Sequence, residues 1–300
     1  MPTGKLDQIG KLNRAISLWE DEQPQLAYMA TVFAQTSLPY RDPGPSARWG
    51  RRNGRLSLMI QPGEYIDENG EVRSVGLPYG VIPRLLLSWM TTEAKQTKSR
   101  HLVLGESLSG FMEQMDLVPT GGRWGTITRL RTQMERLFLA SMVVRYDSTD
   151  TRDAGGRVNI VDEYDLWWTP SSPGQQTLMP SYVELSERFY AEIAAHAMPF
   201  KWEVLRELRR SPLRIDIYLW LTWRMSTLKR PTVVPWEGLR HQFGSQLADT
   251  KQGRQQFRRD FQRQLREVLV HYPEAKVDPL SGGLMLRPSP THVRRRAGLR

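Results

Sequence analysis

Residues 253–270 read GRQQFRRDFQRQLREVLV, and the spacing of the apolar residues in this segment is the strongest structural signal in the second half of the chain. Phe257, Phe261, Leu265 and Val268 recur at the three- and four-residue spacing of one buried helix face. Arginine and glutamine occupy the opposite face. The pattern therefore predicts a long amphipathic helix with an apolar core face and a basic outward face.

The segments around this helix follow the order of a known domain type. Pro212–Met225 predicts a helix, Thr232–Val234 a short strand and Trp236–Phe243 a short helix. After the long helix, residues 275–287 predict a hairpin with Ser281-Gly282-Gly283 at its tip. Helix, strand, short helix, long helix and hairpin is the order of a winged-helix domain.

The first half of the chain repeats this order. Ser107–Met115 predicts a short helix, and Gly125–Ala140 predicts a longer amphipathic one. Met142–Tyr146 and Val158–Trp168 predict two strands, with the Gly-rich tip Asp153–Gly156 between them. We interpret this hairpin as the wing of a first winged-helix domain.

An internal repeat supports the duplication. A shift of 127 residues places Leu130 on Phe257, and the same shift places Gly156 on Gly283. The helix and the wing tip therefore match at a single offset, which is better evidence than apolar registry alone.

The sequence thus predicts an α+β protein with two tandem winged-helix domains and an N-terminal arm. The expected divisions are an arm with a short β segment over residues 1–75, a first winged-helix domain and candidate dimerisation domain over residues 76–180, and a second winged-helix domain, the principal DNA-binding one, over residues 181–300.

The distribution of charge indicates a nucleic-acid partner. Residues 176–300 carry 22 Lys and Arg against 12 Asp and Glu, which accounts for the whole net charge of +10. A basic, folded, Trp-containing segment is typical of a protein that binds a polyanion. A surface that serves only solubility would not need such a one-sided distribution.

The outward positions of the two long helices give the candidate DNA contacts. Arg can bridge guanine O6 and N7, and Gln can pair with adenine. In the second domain these candidates are Lys251, Arg254, Gln255, Arg258, Arg259, Gln262, Arg263 and Arg266. In the first domain they are Arg123, Arg129, Gln133 and Arg136. Lys251, Arg254 and Arg258 lie toward the helix start and edges, where they are placed for phosphates. An ordinary solvated charged face remains the alternative.

Aromatic residues offer a second kind of contact. Trp167-Trp168 and the pair Trp220 and Trp223 could stack on bases of single-stranded DNA. They fall at strand and helix core positions, so we expect them to serve packing.

No catalytic or cofactor site is expected. The chain has no cysteine, no phosphate-binding loop, and five histidines without metal-ligand spacing. The acidic run Asp162-Glu163-Asp165 is only a weak candidate for magnesium. The N-terminal residues lack the apolar core of a signal peptide, and no apolar run is long enough to span a bilayer. We therefore expect a cytoplasmic DNA-binding protein without a membrane partner, not an enzyme.

Five blocks stand in order along most of the chain: Leu77-Pro78-Tyr79-Gly80 followed by Pro83-Arg84, Gly121-Gly122-Arg123-Trp124-Gly125, Asp165-Leu166-Trp167-Trp168, Ser211-Pro212-Leu213 with Asp216-Ile217-Tyr218, and Gln242-Phe243-Gly244. Together these blocks resemble the plasmid-encoded RepA replication initiator family.

That resemblance implies binding to repeated sequences (iterons) in the double-stranded DNA of a plasmid origin. It also implies origin opening and recruitment of the host replication initiator and the replicative helicase. Related initiators are tandem winged-helix proteins that form homodimers through the first domain and bind the origin as monomers. A winged-helix transcriptional repressor, including one that regulates its own gene, is the alternative. An origin nickase is disfavoured because it would need a His pair for metal near a nucleophilic Tyr.

Overall fold

A computed structural model describes residues 10, 12–18, 24–44, 48–105, 107–147, 154–166, 181–244 and 249–293. The chain divides into two compact units. The central unit is Tyr28–Met198, and the C-terminal unit combines Met1–Ala27 with Pro199–Arg300. Among the described residues, no helix is both long and apolar enough to cross a membrane.

The central unit mixes helices and strands. With β1 (Leu26–Ala30), in which the chain enters it, its elements are α1 (Thr31–Gln35), β2 (Trp49–Asn53), β3 (Leu56–Gln61), β4 (Glu64–Ile66), β5 (Val72–Ser74), α2 (Val81–Thr97), β6 (His101–Gly105), α3 (Leu108–Gln114), α4 (Thr126–Phe138), β7 (Ser141–Tyr146), β8 (Ala154–Asn159), β9 (Val161–Asp165), β10 (Ser181–Leu185) and α5 (Glu187–His196).

Two antiparallel sheets organise the central unit. One has the strand order β2-β3-β7-β8, and Leu58 lies opposite Arg51 on one side and Val144 on the other. The second has the order β6-β10-β9, and Val183 lies opposite Leu102 and Tyr164. Alternate residues of β3 are buried, as expected for a strand with one face on a core.

The C-terminal unit has the element order expected from the sequence. After β11 (Ala197–Lys201), in which the chain enters it, its elements are α6 (Trp202–Leu208), α7 (Pro212–Thr227), β12 (Thr232–Pro235), α8 (Trp236–Phe243), α9 (Lys251–His271), β13 (Val277–Pro279) and β14 (Gly283–Leu286). The sheet order is β12-β14-β13, with Val234 opposite Leu284 and Asp278 opposite Met285. Helix, strand, two helices and a hairpin here follow the winged-helix order. The predicted α+β class is confirmed.

The predicted wing of the central unit is wrong in its second strand. β7 and β8 do pair, with Met142 opposite Val158. The run predicted as one strand over residues 158–168, however, leaves this sheet after Asn159, and β9 pairs with β10 instead. The fully buried Ile160 lies at the change of sheet. Alternating apolar and polar residues predict a strand but do not identify its partner, so the change of sheet could not be predicted from the pattern.

The corrected pairing changes the internal repeat. In each unit the strand before the two helices lies at the edge of a three-stranded sheet, in the orders β6-β10-β9 and β12-β14-β13. The strands equivalent to the C-terminal hairpin are therefore β9 and β10, and their connection lies largely outside the described residues. Gly156 lies in β8, in the other sheet, so its match to Gly283 was wrong. The helix match agrees with the structure, since Leu130 and Phe257 are both buried.

Residues 28–75, which were predicted to belong to a separate arm, form part of the central unit. Leu56, Leu58 and Ile60 of β3 are buried, and their strand lies between β2 and β7. β10 and α5, which the sequence analysis assigned to the second domain, also lie in the central unit. Short β segments and turns carry no information about partners distant in sequence, and the pairing of β3 with β7 is such a contact.

A buried histidine joins the last described segment to the core of the C-terminal unit. The Tyr218 hydroxyl lies 3.0 Å from Nδ1 of His292. Because the Tyr218 oxygen also accepts a hydrogen bond from the Lys201 amide, we assign the Tyr218 proton to the His292 contact. Tyr272 stacks on the His292 ring with centroids 4.4 Å apart. Burial, together with the positive charge of Lys201, lowers the pKa of His292 to about 3.

The C-terminal unit should lose stability in mild acid because of His292. Its folded pKa lies below the unfolded value of about 6.5, so the unfolded chain takes up the proton first. The free energy of unfolding is therefore unaffected by His292 above about pH 7 and falls as the pH drops. At pH 5 the loss should be about 2 kcal/mol.

Urea titrations at pH 7.5 and pH 5 measure this loss. His292→Gln keeps an oxygen that can accept from Tyr218 but cannot take up a proton in this range, so its stability should depend less on pH by about 2 kcal/mol. Equal pH dependence in the two proteins would show that His292 does not titrate on unfolding.

Candidate nucleic-acid interface

Aromatic packing fixes the orientation of α9. The rings of Phe243 and Phe261 have centroids 5.4 Å apart, and those of Phe257 and Phe261 are 5.7 Å apart. Phe257, Phe261, Leu265 and Val268 are all buried, as the periodicity predicted. The helix begins at the N-cap Thr250, whose hydroxyl accepts from the Gly253 amide at 3.1 Å. With the apolar face packed, the opposite face is directed to solvent.

The outward face of α9 carries most of the predicted contacts. The exposed members are Lys251, Arg254, Gln255, Arg259, Arg263 and Arg266. Arg254 is partly neutralised, because its guanidinium lies 2.8 Å from the Asp249 carboxylate. The hydrogen bond from Arg254, together with the charge of Arg240, lowers the pKa of Asp249. Arg263 likewise lies 2.8 Å from the Asp260 carboxylate. Even with these two acids, the exposed basic residues give this face of the helix a net positive charge.

Gln262 and Arg258 are half-buried, and Arg258 has a structural role. Its guanidinium donates to the carbonyl oxygens of Leu280 and Ser281 at 3.1 and 3.2 Å. It also lies over the ring of Trp236, whose Nε1 donates to the same Leu280 oxygen at 3.0 Å. Arg258 therefore joins the turn between β13 and β14 to α9. This contact was not visible in the sequence, which suggested only a phosphate contact.

The predicted outward residues of α4 and of the turn before it differ in their exposure. Arg123 and Arg129 are exposed, as predicted. Gln133 is buried, and its side-chain oxygen accepts from the Tyr79 amide at 2.8 Å. The outward position predicted for Gln133 is therefore wrong.

Arg136 is also engaged within the central unit. Its guanidinium lies 3.0 Å from the Asp42 carboxylate and donates to the Leu77 carbonyl at 3.3 Å. Only 17% of its side chain is exposed. The prediction that Arg136 faces outward is wrong, because the loop before α2 covers this side of α4, which a helical projection cannot show.

A rigid turn before α4 presents Trp124, which the sequence analysis did not consider as a contact. Reciprocal hydrogen bonds of 2.9 Å link the backbone amides and hydroxyls of Thr120 and Thr126. Gly125 is required here, because a Cβ would lie 2.2 Å from the Thr120 carbonyl oxygen. Trp124 is 82% exposed beside Arg123. The feature of the sequence that could have identified Trp124 as a candidate is its position directly before α4, a helix predicted to contact DNA.

The remaining sequence candidates have structural surroundings. Trp220 is buried and packs on Phe243 with ring centroids 5.6 Å apart, in keeping with a packing role. Trp167-Trp168 lie outside the described residues. In the acidic run, the Tyr182 hydroxyl donates to Glu163 at 2.5 Å. In the part of the chain that the structure describes, no cluster of three or more His, Asp or Glu side chains could hold a metal.

Comparison with solved structures shows that the fold of the chain is shared with a known protein. Crystal structures of domains 2 and 3 of RctB are similar to the chain. One has a TM-score of 0.51 at 11% identity and covers 85% of this chain and 95% of that one. A second has a TM-score of 0.48 at 12% identity and covers 85% and 94%. At this identity the first likeness shows a shared fold only. No curated protein matches the chain.

The chain is a mixed helix–strand protein with an exposed basic helix face in its C-terminal unit. A family model described as plasmid-encoded RepA protein matches residues 77–237, more than half of the chain. The chain therefore belongs to the RepA family of plasmid replication initiators. The resemblance stated from the sequence blocks is confirmed.

The contacts of Arg258 predict a stability effect that separates it from its neighbours. Arg258→Ala removes two hydrogen bonds from a charged donor and should lower the free energy of unfolding by about 1–2 kcal/mol. Arg266→Ala removes an equal charge from an exposed site and should change it by less than about 0.5 kcal/mol. Urea denaturation of both variants tests the comparison. Equal stabilities would mean that Arg258 does not hold the hairpin.

Proposed function

We propose that this protein initiates plasmid replication by binding repeated duplex sequences, or iterons, at the origin through α9. It helps to open the origin and recruits the host replication initiator and the replicative helicase. The observation that carries the proposal is the solvent-exposed basic face of α9 in a member of the RepA family. The protein acts by binding and has no catalytic step of its own.

The spacing along α9 fits the major groove. Arg259, Arg263 and Arg266 are exposed at positions i, i+4 and i+7, which lie on one side of a helix. At 1.5 Å per residue they span about 10 Å, close to three base-pair steps. The major groove admits an α-helix, and arginine there binds guanine O6 and N7. We assign base reading to Arg259 and Arg263 and phosphate contacts to Lys251 and Arg254.

The central unit has two roles in this proposal. Arg123, Arg129 and Trp124 provide a smaller DNA contact at the start of α4. The hairpin of β4 and β5 has a different character, since it exposes Tyr65, Ile66 and Val72 among acidic residues. An acidic apolar surface repels phosphates and favours protein contacts, which supports homodimerisation or host-protein binding through this unit.

Footprinting on the DNA that flanks the gene tests the proposed function. We expect protection of tandem direct repeats of about 20 base pairs beside an AT-rich stretch, the span expected if both units contact the duplex. Permanganate reactivity of thymines in the AT-rich stretch reports opening. Protection limited to a promoter, without repeats and without opening, would favour the transcriptional repressor.

Substitution of the base-reading arginine should reduce specific binding. Arg259→Ala is expected to weaken binding to the protected repeat by about 1–3 kcal/mol and to weaken a scrambled duplex much less. Lys251→Ala, a phosphate contact, should weaken both duplexes by similar factors. Fluorescence anisotropy titrations measure the four affinities. An equal loss on both duplexes for Arg259→Ala would reject its role in reading bases.

A further inference from the structure

A chain of three hydrogen bonds links four side chains on the outward side of α9. The Arg259 guanidinium donates from Nη2 to Oε1 of Gln256 at 2.8 Å. Gln256 donates from Nε2 to Oδ2 of Asp260 at 2.7 Å. Asp260 accepts on its other oxygen, Oδ1, from Nη2 of Arg263 at 2.8 Å. Both ends of this network are exposed arginines, and its centre is half-buried.

The acid at the centre is unfavourable for DNA binding by charge alone. Asp260 lies on the face that the proposed function directs to the phosphates, where a carboxylate reduces affinity for any duplex. The other acid of α9, Glu267, is placed differently, since its carboxylate lies 3.5 Å from Arg214 of α7. An acid that opposes general affinity is consistent with a role in specificity.

The network supplies what base reading requires. An arginine side chain loses rotamer entropy when it is fixed, and ordering it before binding reduces that loss at the interface. Bidentate contact with guanine also needs a defined orientation of the guanidinium plane. Each arginine uses Nη2 in the network, which leaves its other N–H groups for DNA.

We propose that Asp260 and Gln256 are positioning residues for base recognition, which hold the guanidinium groups of Arg259 and Arg263 in the orientation that reads guanine. This inference rests on the proposed function of α9. It assigns the specificity of the helix to the network as a whole, with the acid lowering affinity for all DNA and raising discrimination between sequences.

The test uses the full-length protein and two duplexes. The wild-type protein first selects a preferred duplex from a random pool, and a scrambled duplex of the same composition serves as the reference. Asp260→Ala should bind the scrambled duplex as well as or better than wild type, because one negative charge is lost. The same variant should bind the selected duplex more weakly, so that the ratio of the two affinities falls roughly tenfold.

A matched control and a double variant separate positioning from charge. Glu274→Ala removes an acid from an exposed site of the same unit after α9 and should leave the ratio unchanged. Arg263→Ala should lower the ratio. When Asp260→Ala is added to Arg263→Ala, the ratio should fall further by a smaller factor than in the wild-type protein. The reason is that Asp260 can then influence only Arg259, through Gln256. Gln256→Ala provides an independent test at the Arg259 end, should Asp260→Ala not fold.

The outcomes distinguish this inference from the function on which it rests. If Arg263→Ala and Arg259→Ala leave the affinity ratio unchanged, base reading by α9 and the positioning role are both wrong. If the arginine variants lower the ratio but Asp260→Ala and Gln256→Ala do not, base reading stands and the positioning role is wrong. An increase of both affinities by the same factor in Asp260→Ala also overturns the inference, since that is the effect of charge alone.

Discussion

The packing of Phe261 against Phe243, Phe257 and Trp236 sets the orientation of α9, and the proposed DNA surface depends on it. A helix with one apolar face can be rotated very little once that face is buried, because each large side chain fills a specific gap in the core. Arg259 and Arg263, each two residues from Phe261 and so on the opposite side of the helix, are then directed to solvent. The same packing places Arg258 against the turn of the β13–β14 hairpin, so the helix and the hairpin form one rigid surface.

Two of the exposed arginines of α9 are paired with carboxylates. Arg254 shares the Asp249 carboxylate with Arg240, and Arg263 shares Asp260 with Gln256. Such pairs on an exposed face contribute little to stability. Their main physical effect is to restrict where the guanidinium groups lie, which matters for recognition of planar base edges and much less for attraction to phosphates.

The two units contain similar amphipathic helices whose outward faces differ in exposure. α4 and α9 both follow a short helix and both bury an apolar face. In α9 the opposite face is exposed, whereas in α4 the positions of Gln133 and Arg136 are occupied by contacts with Tyr79, Leu77 and Asp42. The difference agrees with the charge distribution, in which all of the net positive charge lies after residue 175. The central unit thus has less basic surface than the C-terminal unit.

The α+β class, the winged-helix order of the C-terminal unit and the exposed basic face of α9 could all be predicted from the sequence, because helix periodicity and turn residues are local properties. The sequence also determined the family, through blocks such as Gly121–Gly125. Three features could be seen only in the tertiary structure. The chain leaves the sheet of β8 at Ile160, so that β9 pairs with β10. In addition, β3 belongs to the central unit and Gln133 is covered. These features depend on contacts between segments far apart in the chain, and a periodic pattern gives the face of an element without identifying what packs against it.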